Sequence, residues 1–203
     1  CGRLVSLQDK KTGEELIAAG ESAGLTYIET ERRTSSAWNI GRHLKDMPVD
    51  RCIELQRADN GPLRQSVKAT WEIQGSKVEA TYSLDKYQKA VKLELKVDWH
   101  GHGVEKDSIP VLDYKVPVSY ATDAFRYDVP AGTLVRKSLH NDVPALQYGM
   151  ALRREGASCA ILISDSKYGY RGADNKLALS LINSSVSPDP YPERGIHHIT
   201  LWL

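Results

Sequence analysis

Ala90-Val91-Lys92-Leu93-Glu94-Leu95-Lys96-Val97-Asp98-Trp99 is the stretch that decides the fold. Val91, Leu93, Leu95 and Val97 alternate with Lys92, Glu94, Lys96 and Asp98. Successive side chains on a strand point to opposite faces, so the pattern gives one apolar face for a core and one charged face for water. On the N-terminal side, residues 52–56, 63–73 and 77–84 also read as strands, the last two joined by a hairpin at Gln74-Gly75-Ser76. On the C-terminal side come apolar runs at 111–118, 124–129, 148–153, 157–163, 177–182 and 196–203.

The first fifty residues are less regular. Residues 3–7 and 25–31 read as strands, residues 14–19 as one helical turn, and residues 32–51 as a long irregular connection carrying Trp38. Long loops in compact domains are often functional. About a dozen short strands without a long helix predict stacked antiparallel sheets. Prolines 110, 117, 130, 144, 188, 190 and 192 are expected at strand ends or in loops, where a missing N–H costs least. The reading is all-β: a large antiparallel β-sandwich, one domain over residues 1–203.

A hydrophobic content of 41% with 26% charged residues is that of a globular chain, and the net charge of +1 supplies no basic field for nucleic acid. No run approaches the roughly 18 apolar residues of a membrane helix, and no basic-then-apolar leader opens the sequence. Cys1, Cys52 and Cys159 are too few and too scattered for a disulfide framework or a zinc knuckle. Cys159 lies in an apolar run, as a buried reduced thiol would, and a cytoplasmic protein is expected. The sequence opens without Met and stops inside the strand-like Ile199-Thr200-Leu201-Trp202-Leu203, so a piece of a longer polypeptide is expected.

Candidate chemistry concentrates between Ile163 and His198, a stretch read as strand, turn, strand, proline-stiffened loop, strand, with Tyr, Asp, Arg and His in its turns. In Asp98-Trp99-His100-Gly101-His102, residues two apart on a strand share a face, so His100 and His102 could approach one metal ion. Gly101 and Gly103 break the strand and no third distant ligand is evident, which favours a strand end with two solvent-facing histidines. His197 and His198 are adjacent and face opposite sides. Asp107, Asp113, Asp123, Asp128, Asp165, Asp189 and Glu193 could supply the carboxylate pair of a glycosidase, but so many acids are ordinary. Trp38, Tyr168 and Tyr170 fall at strand ends, where aromatic rings stack on sugars or cap a core. No nucleophile elbow, dinucleotide fingerprint or phosphate loop is present.

The order of short motifs carries more than any one of them. Ser6-Leu7, Asp9-Lys10, Thr12-Gly13 and Glu15-Leu16 are followed by Ala37-Trp38-Asn39-Ile40-Gly41, Gly61-Pro62-Leu63-Arg64 and Val97-Asp98-Trp99-His100. Then come Asp128-Val129-Pro130 with Gly132 and Arg136, and Ser164-Asp165-Ser166-Lys167-Tyr168-Gly169. Leu179-Ser180-Leu181, Pro188-Asp189-Pro190, Gly195 and His197 close the series. The series resembles the β-rich region of glycoside hydrolase family 38 α-mannosidases. It departs from the family at Leu181-Ile182-Asn183-Ser184-Ser185, which lacks an Arg and a Pro, and at His198-Ile199-Thr200, where an acid and Phe are usual.

The resemblance implies a galactose-mutarotase-like supersandwich belonging to a retaining α-mannosidase. In that family the nucleophile and a zinc ion lie in an upstream α/β barrel. None of the present residues matches those motifs, so no catalytic residue, metal ligand or cofactor is expected in this chain; zinc is expected in the full-length enzyme. The expected partners are that barrel and a mannose-containing oligosaccharide, with Trp38 and Arg194 as the residues reaching toward sugar. Val97-Asp98-Trp99-His100 is expected to be a structural strand. Two alternatives are a stand-alone carbohydrate-binding module and a mutarotase-like epimerase; the epimerase needs a histidine and an acid in one groove.

Overall fold

The computed structural model describes residues 1–101, 108–155 and 159–203. His102 of the metal motif, Asp107 and the start of the run at 157–163 lie outside the described residues. The strands are β1 (Gly24–Glu31), β2 (His43–Pro48), β3 (Glu54–Asn60), β4 (Arg64–Ile73), β5 (Ser76–Asp85), β6 (Lys92–Trp99), β7 (Ser108–Pro117) and β8 (Ala124–Val129). They continue with β9 (Gly132–Lys137), β10 (Leu139–Pro144), β11 (Tyr148–Ala151), β12 (Ile161–Ser164), β13 (Gly169–Ala173), β14 (Lys176–Asn183) and β15 (Gly195–Trp202). They form a nine-stranded antiparallel sheet, β3-β4-β5-β6-β15-β12-β11-β8-β9, and a six-stranded one, β10-β13-β14-β7-β1-β2. The expected all-β sandwich is the observed fold.

The alternating stretch is β6, paired between β5 and β15 in the larger sheet. Leu93, Leu95, Val97 and Trp99 are buried, with Trp71, Ala69 and Val78 beside them on the same face. Leu25, Leu112, Tyr114, Val116, Leu177, Leu179 and Leu181 of the six-stranded sheet belong to the same hydrophobic cluster. Fully burying an aromatic or aliphatic side chain contributes about 1.5–3 kcal/mol, so this cluster is what holds the sheets together.

Tight hairpins set the register. Gln74 and Gly75 have φ of 49° and 75° and join β4 to β5 in the two-residue turn whose twist suits antiparallel strands. Asp174 and Asn175, with φ of 51° and 58°, do the same between β13 and β14. The link before residues 177–182 is therefore a hairpin, and the region read as three strands contains four.

Other expectations change in detail. Residues 3–7 form no strand, only the bridge Leu4–Ala23, and residues 14–19 form no helical turn. Instead Glu15 organises the opening segment: its carboxylate accepts N–H groups from Leu7 (2.7 Å), Leu16 (3.0 Å) and Ile17 (2.9 Å) and the Ser6 hydroxyl. The 32–51 connection is interrupted by β2, an exposed edge strand whose His-Leu-Lys-Asp-Met-Pro lacks clean alternation. Pro110 lies inside β7 rather than at its end. Cys159 is only partly buried, and none of the three thiols is disulfide-bonded.

Pairing fixes which loops share an end of the sandwich. Glu31 at the end of β1 lies opposite Ser108, Asn183 at the end of β14 opposite Val111, and Gly195 at the start of β15 opposite Trp99. The 32–42 and 184–194 connections therefore emerge at the same end, where β6 also finishes.

Candidate functional site

Both residues implied as sugar contacts stand at this end. Ser35, with φ of 55°, closes a tight turn in which the N–H groups of Trp38 and Asn39 donate to its carbonyl, both at 2.9 Å. The buried Ser36 hydroxyl accepts the N–H groups of Val186 (2.9 Å) and Ser187 (3.1 Å), and Ala37 donates its N–H to the Ser187 carbonyl at 3.1 Å. These bonds staple the Trp38 turn to the β14–β15 connection. Gly41 is required where the turn rejoins the sheet, because a Cβ there would come 1.9 Å from the Glu31 carbonyl oxygen. Trp38 itself is 72% exposed.

The second loop is fixed from beneath. The Ser184 N–H donates to the Pro110 carbonyl at 3.0 Å, and Trp99 Nε1 donates to the Ser184 hydroxyl at 2.7 Å. The Ser187–Pro188 peptide is cis. Asp189 accepts the Tyr191 N–H at 2.9 Å, and His197 Nε2 lies 2.6 Å from the Glu193 carbonyl. Arg194 is exposed, and its guanidinium makes no hydrogen bond or ion pair among the described residues. Between the stapled loops runs an open groove lined by Glu31, Arg32, Arg33, Thr34, Ser35, Val186 and Ser187. The hydrogen bonds of Arg33 and Arg42 hold the Glu31 carboxyl below the usual range, so its charge is matched by the arginines around it.

Most other candidates have structural work. Asp128 accepts the N–H groups of Gln147 (2.9 Å) and Tyr148 (2.8 Å), and Asp165 accepts the Thr200 N–H at 3.0 Å and the Ser166 hydroxyl. Asp123 pairs with Arg154 on the surface. Asp113 is fully buried, facing Arg171, which also pairs with Asp142, while the Ser180 hydroxyl bonds both acids. Tyr170 is a core residue whose hydroxyl donates to the Gln147 carbonyl, whereas Tyr168 is exposed. His197 is partly buried against Glu193 and His198 is exposed.

Among the described residues the histidines assemble no metal centre. His100 Nε2 is 3.2 Å from Asp98, and the His100 N–H donates to Ser76 Oγ. Among the described residues no three His, Cys, Asp or Glu side chains cluster to hold a metal ion. The described residues therefore offer no ligand set for a zinc ion, and no step is assigned to one.

A second groove, of about 460 Å³, crosses the outer face of the six-stranded sheet. Sequence reasoning missed it, because its residues come from β1, β2, β7, β10, β13 and β14 and from residues 3, 21, 22, 50 and 174. It brings His43 and Asp46 together at 3.1 Å, with Lys115 on the other carboxylate oxygen, and His140 beside Asp174 at 3.7 Å. A histidine and an acid do share this groove. However, the hydrogen bond from His43, against the opposing effect of burial, and the contact with Lys115 hold the Asp46 carboxyl far below the usual range. A base so weak is poorly matched to proton transfer near neutral pH. Grip between strands is the better description of this pair.

Comparison with known proteins agrees with this fold. Residues 1–191 match the family described as glycosyl hydrolases family 38 C-terminal domain. The chain belongs to that family. It is 25% identical over 224 aligned residues to Alpha-mannosidase G of Dictyostelium discoideum, covering 98% of this chain but 19% of that protein. Among solved structures, an alpha-mannosidase from Enterococcus faecalis V583 superposes with a TM-score of 0.72 at 14% identity, covering 97% of this chain and 26% of the other. A second Enterococcus faecalis structure, of a glycosyl hydrolase family 38 protein, gives 0.71 at 14% identity, with 97% and 27% covered. The chain thus spans about a fifth of the curated relative and about a quarter of each structure. No helix among the described residues is long and apolar enough to cross a membrane.

Proposed function

We propose that this chain is the β-sandwich domain of a retaining, zinc-dependent α-mannosidase and supplies scaffold and cleft wall rather than catalytic groups. On this reading residues 1–203 are one domain of a longer polypeptide. An upstream barrel holds the nucleophile and the zinc, and a mannose-containing oligosaccharide lies between barrel and sandwich. The carrying observation is the family match over residues 1–191. The engagement of the candidate carboxylates in structural bonds supports the absence of a catalytic pair.

Trp38 and Arg194 are the proposed wall residues. An exposed indole offers a flat apolar face to a sugar ring, and a guanidinium offers a rigid fork of donors to hydroxyl groups. Their loops are clamped at their bases while these side chains face solvent, which fits a rigid wall with few ordering costs on binding. The three thiols, none in a disulfide, support the cytoplasm as the compartment.

The test is kinetic. Trp38→Ala and Arg194→Ala in the longer polypeptide are expected to lower kcat/KM for a mannobiose about tenfold each, with unchanged melting temperature. Wild-type kinetics in the double variant would remove the proposed wall contacts. The exposure of Trp38 also favours a second reading, in which the chain binds mannose by itself; calorimetry without heat at millimolar sugar would eliminate it.

A further inference from the structure

The nine-stranded sheet carries its core face beyond the core. Leu55 lies opposite Ala69, Val67 opposite Tyr82, and Leu84 opposite Gln65, next to Val67 on β4. Directly opposed residues on antiparallel strands share a face, so these side chains extend the surface on which Ala69, Trp71 and Tyr82 pack. Yet Leu55 is 54%, Val67 39% and Leu84 44% exposed. Contiguous apolar side chains left uncovered in this way mark a contact surface.

The opening residues of the chain lie on that same face. Trp71 Nε1 donates to the Cys1 carbonyl at 3.2 Å, and a Cβ on Gly2 would come 2.5 Å from Trp71 and 2.8 Å from Ala69. Ala69 is the direct neighbour of Leu55. Any polypeptide running into Cys1 would therefore enter on the face that carries the uncovered side chains. The relatives are long enough to contain it, since this chain spans 19% of one and 26% of another.

We propose that, in the longer polypeptide, the segment immediately preceding Cys1 lies across Leu55, Val67 and Leu84 and completes the core with apolar side chains of its own. The inference rests on the reading of this chain as one domain of an α-mannosidase. It assigns the surface to that short segment rather than to a second copy of the chain.

Maleimide labelling followed by peptide-level mass spectrometry tests it. Leu55→Cys and Val67→Cys are compared with Tyr87→Cys, a control at an 82% exposed turn residue, in the longer polypeptide and in the chain beginning at Cys1. The expected result is labelling at least about tenfold slower than the control in the longer polypeptide, and within about twofold of it in the shorter chain. Control-like labelling in the longer polypeptide would overturn the inference. So would protection of the shorter chain that grows with protein concentration, since a second copy would then be the occupant. Aryl α-mannoside turnover by the same preparations separates the two failures: active enzyme with a labelled Leu55→Cys defeats this inference alone, and absent turnover defeats the functional reading.

Discussion

Arg171 and Arg194 belong to two polar regions that look alike in sequence and behave as opposites in structure. Arg171 is buried on the six-stranded sheet, held by Asp113, Asp142 and the Ser180 network. Arg194 stands exposed at the end of the sandwich near the β14–β15 connection, and Trp38 stands exposed on a turn stapled to that connection. The difference separates charge used for holding strands from charge offered outward. In this molecule the groups with the densest internal bonding are the least available for chemistry.

Removing the buried cation should break the comparison most severely. Arg171→Met leaves Asp113 without its counter-charge in the interior, and breaking such a pair costs about 3–5 kcal/mol. Urea unfolding of wild type and variant checks it. Burial already pushes the Asp113 carboxyl upward against the pull of Arg171. A carboxyl whose folded pKa is raised binds its proton more tightly in the native state, so stability falls as pH rises through that folded value. The Arg171→Met deficit is therefore expected to shrink as pH is lowered from 7 toward 5, and a deficit that grows on acidification would contradict it.

The staple comes next. Ser36→Ala deprives the Val186 and Ser187 N–H groups of their acceptor, at about 1–3 kcal/mol if they stay buried and unpaired. Amide exchange should accelerate at residues 34–39 and 184–187 and stay unchanged in β6. A global acceleration would mean that the staple belongs to the core rather than to the loop end.

The groove pair sharpens the contrast more gently. The Asp46 carboxyl is depressed by its hydrogen bond with His43 and by Lys115. Its contribution is present above the unfolded carboxylate value near 3.8 and is lost as pH falls below it. Asp46 is partly solvated, so Asp46→Asn should cost under about 1 kcal/mol at pH 7 and flatten the acid limb of the stability curve. An unchanged acid limb would show that the pair contributes nothing. The smallest stability effects are expected for Trp38→Ala and Arg194→Ala, within about 0.5 kcal/mol, because neither side chain is packed or paired among the described residues. On the proposed reading their consequence is expected in sugar hydrolysis instead.

How much of this was legible follows from where each signal resides. Period-two alternation made β4, β5 and β6 readable, because apolar and polar residues there meet opposite environments. β13 was invisible: Gly169-Tyr170-Arg171-Gly172-Ala173 has glycines where a strand former is expected. Gly172 is needed because a Cβ would collide with Phe125 at 2.1 Å, a fact of packing between distant segments. β2 and β10, on sheet edges, carry mostly exposed residues and therefore no hydrophobic pattern. At the site, Trp38 stood out as a loop aromatic but was preferred to Tyr168 and Tyr170 only through resemblance, and Arg194 was reached through resemblance alone. The bonds that clamp the Trp38 turn join residues 150 and 151 positions apart, and Arg171 meets Asp113 across 58 positions. No local spacing encodes such pairs.

The central claim is that this sandwich shapes a mannosidase without performing its chemistry. The direct test is hydrolysis of an aryl α-mannoside by the purified 203-residue chain with zinc supplied, alongside the longer polypeptide. The account predicts turnover by the longer polypeptide and none by the chain alone. Turnover by the chain alone that follows its own elution profile and survives a contamination control would contradict it.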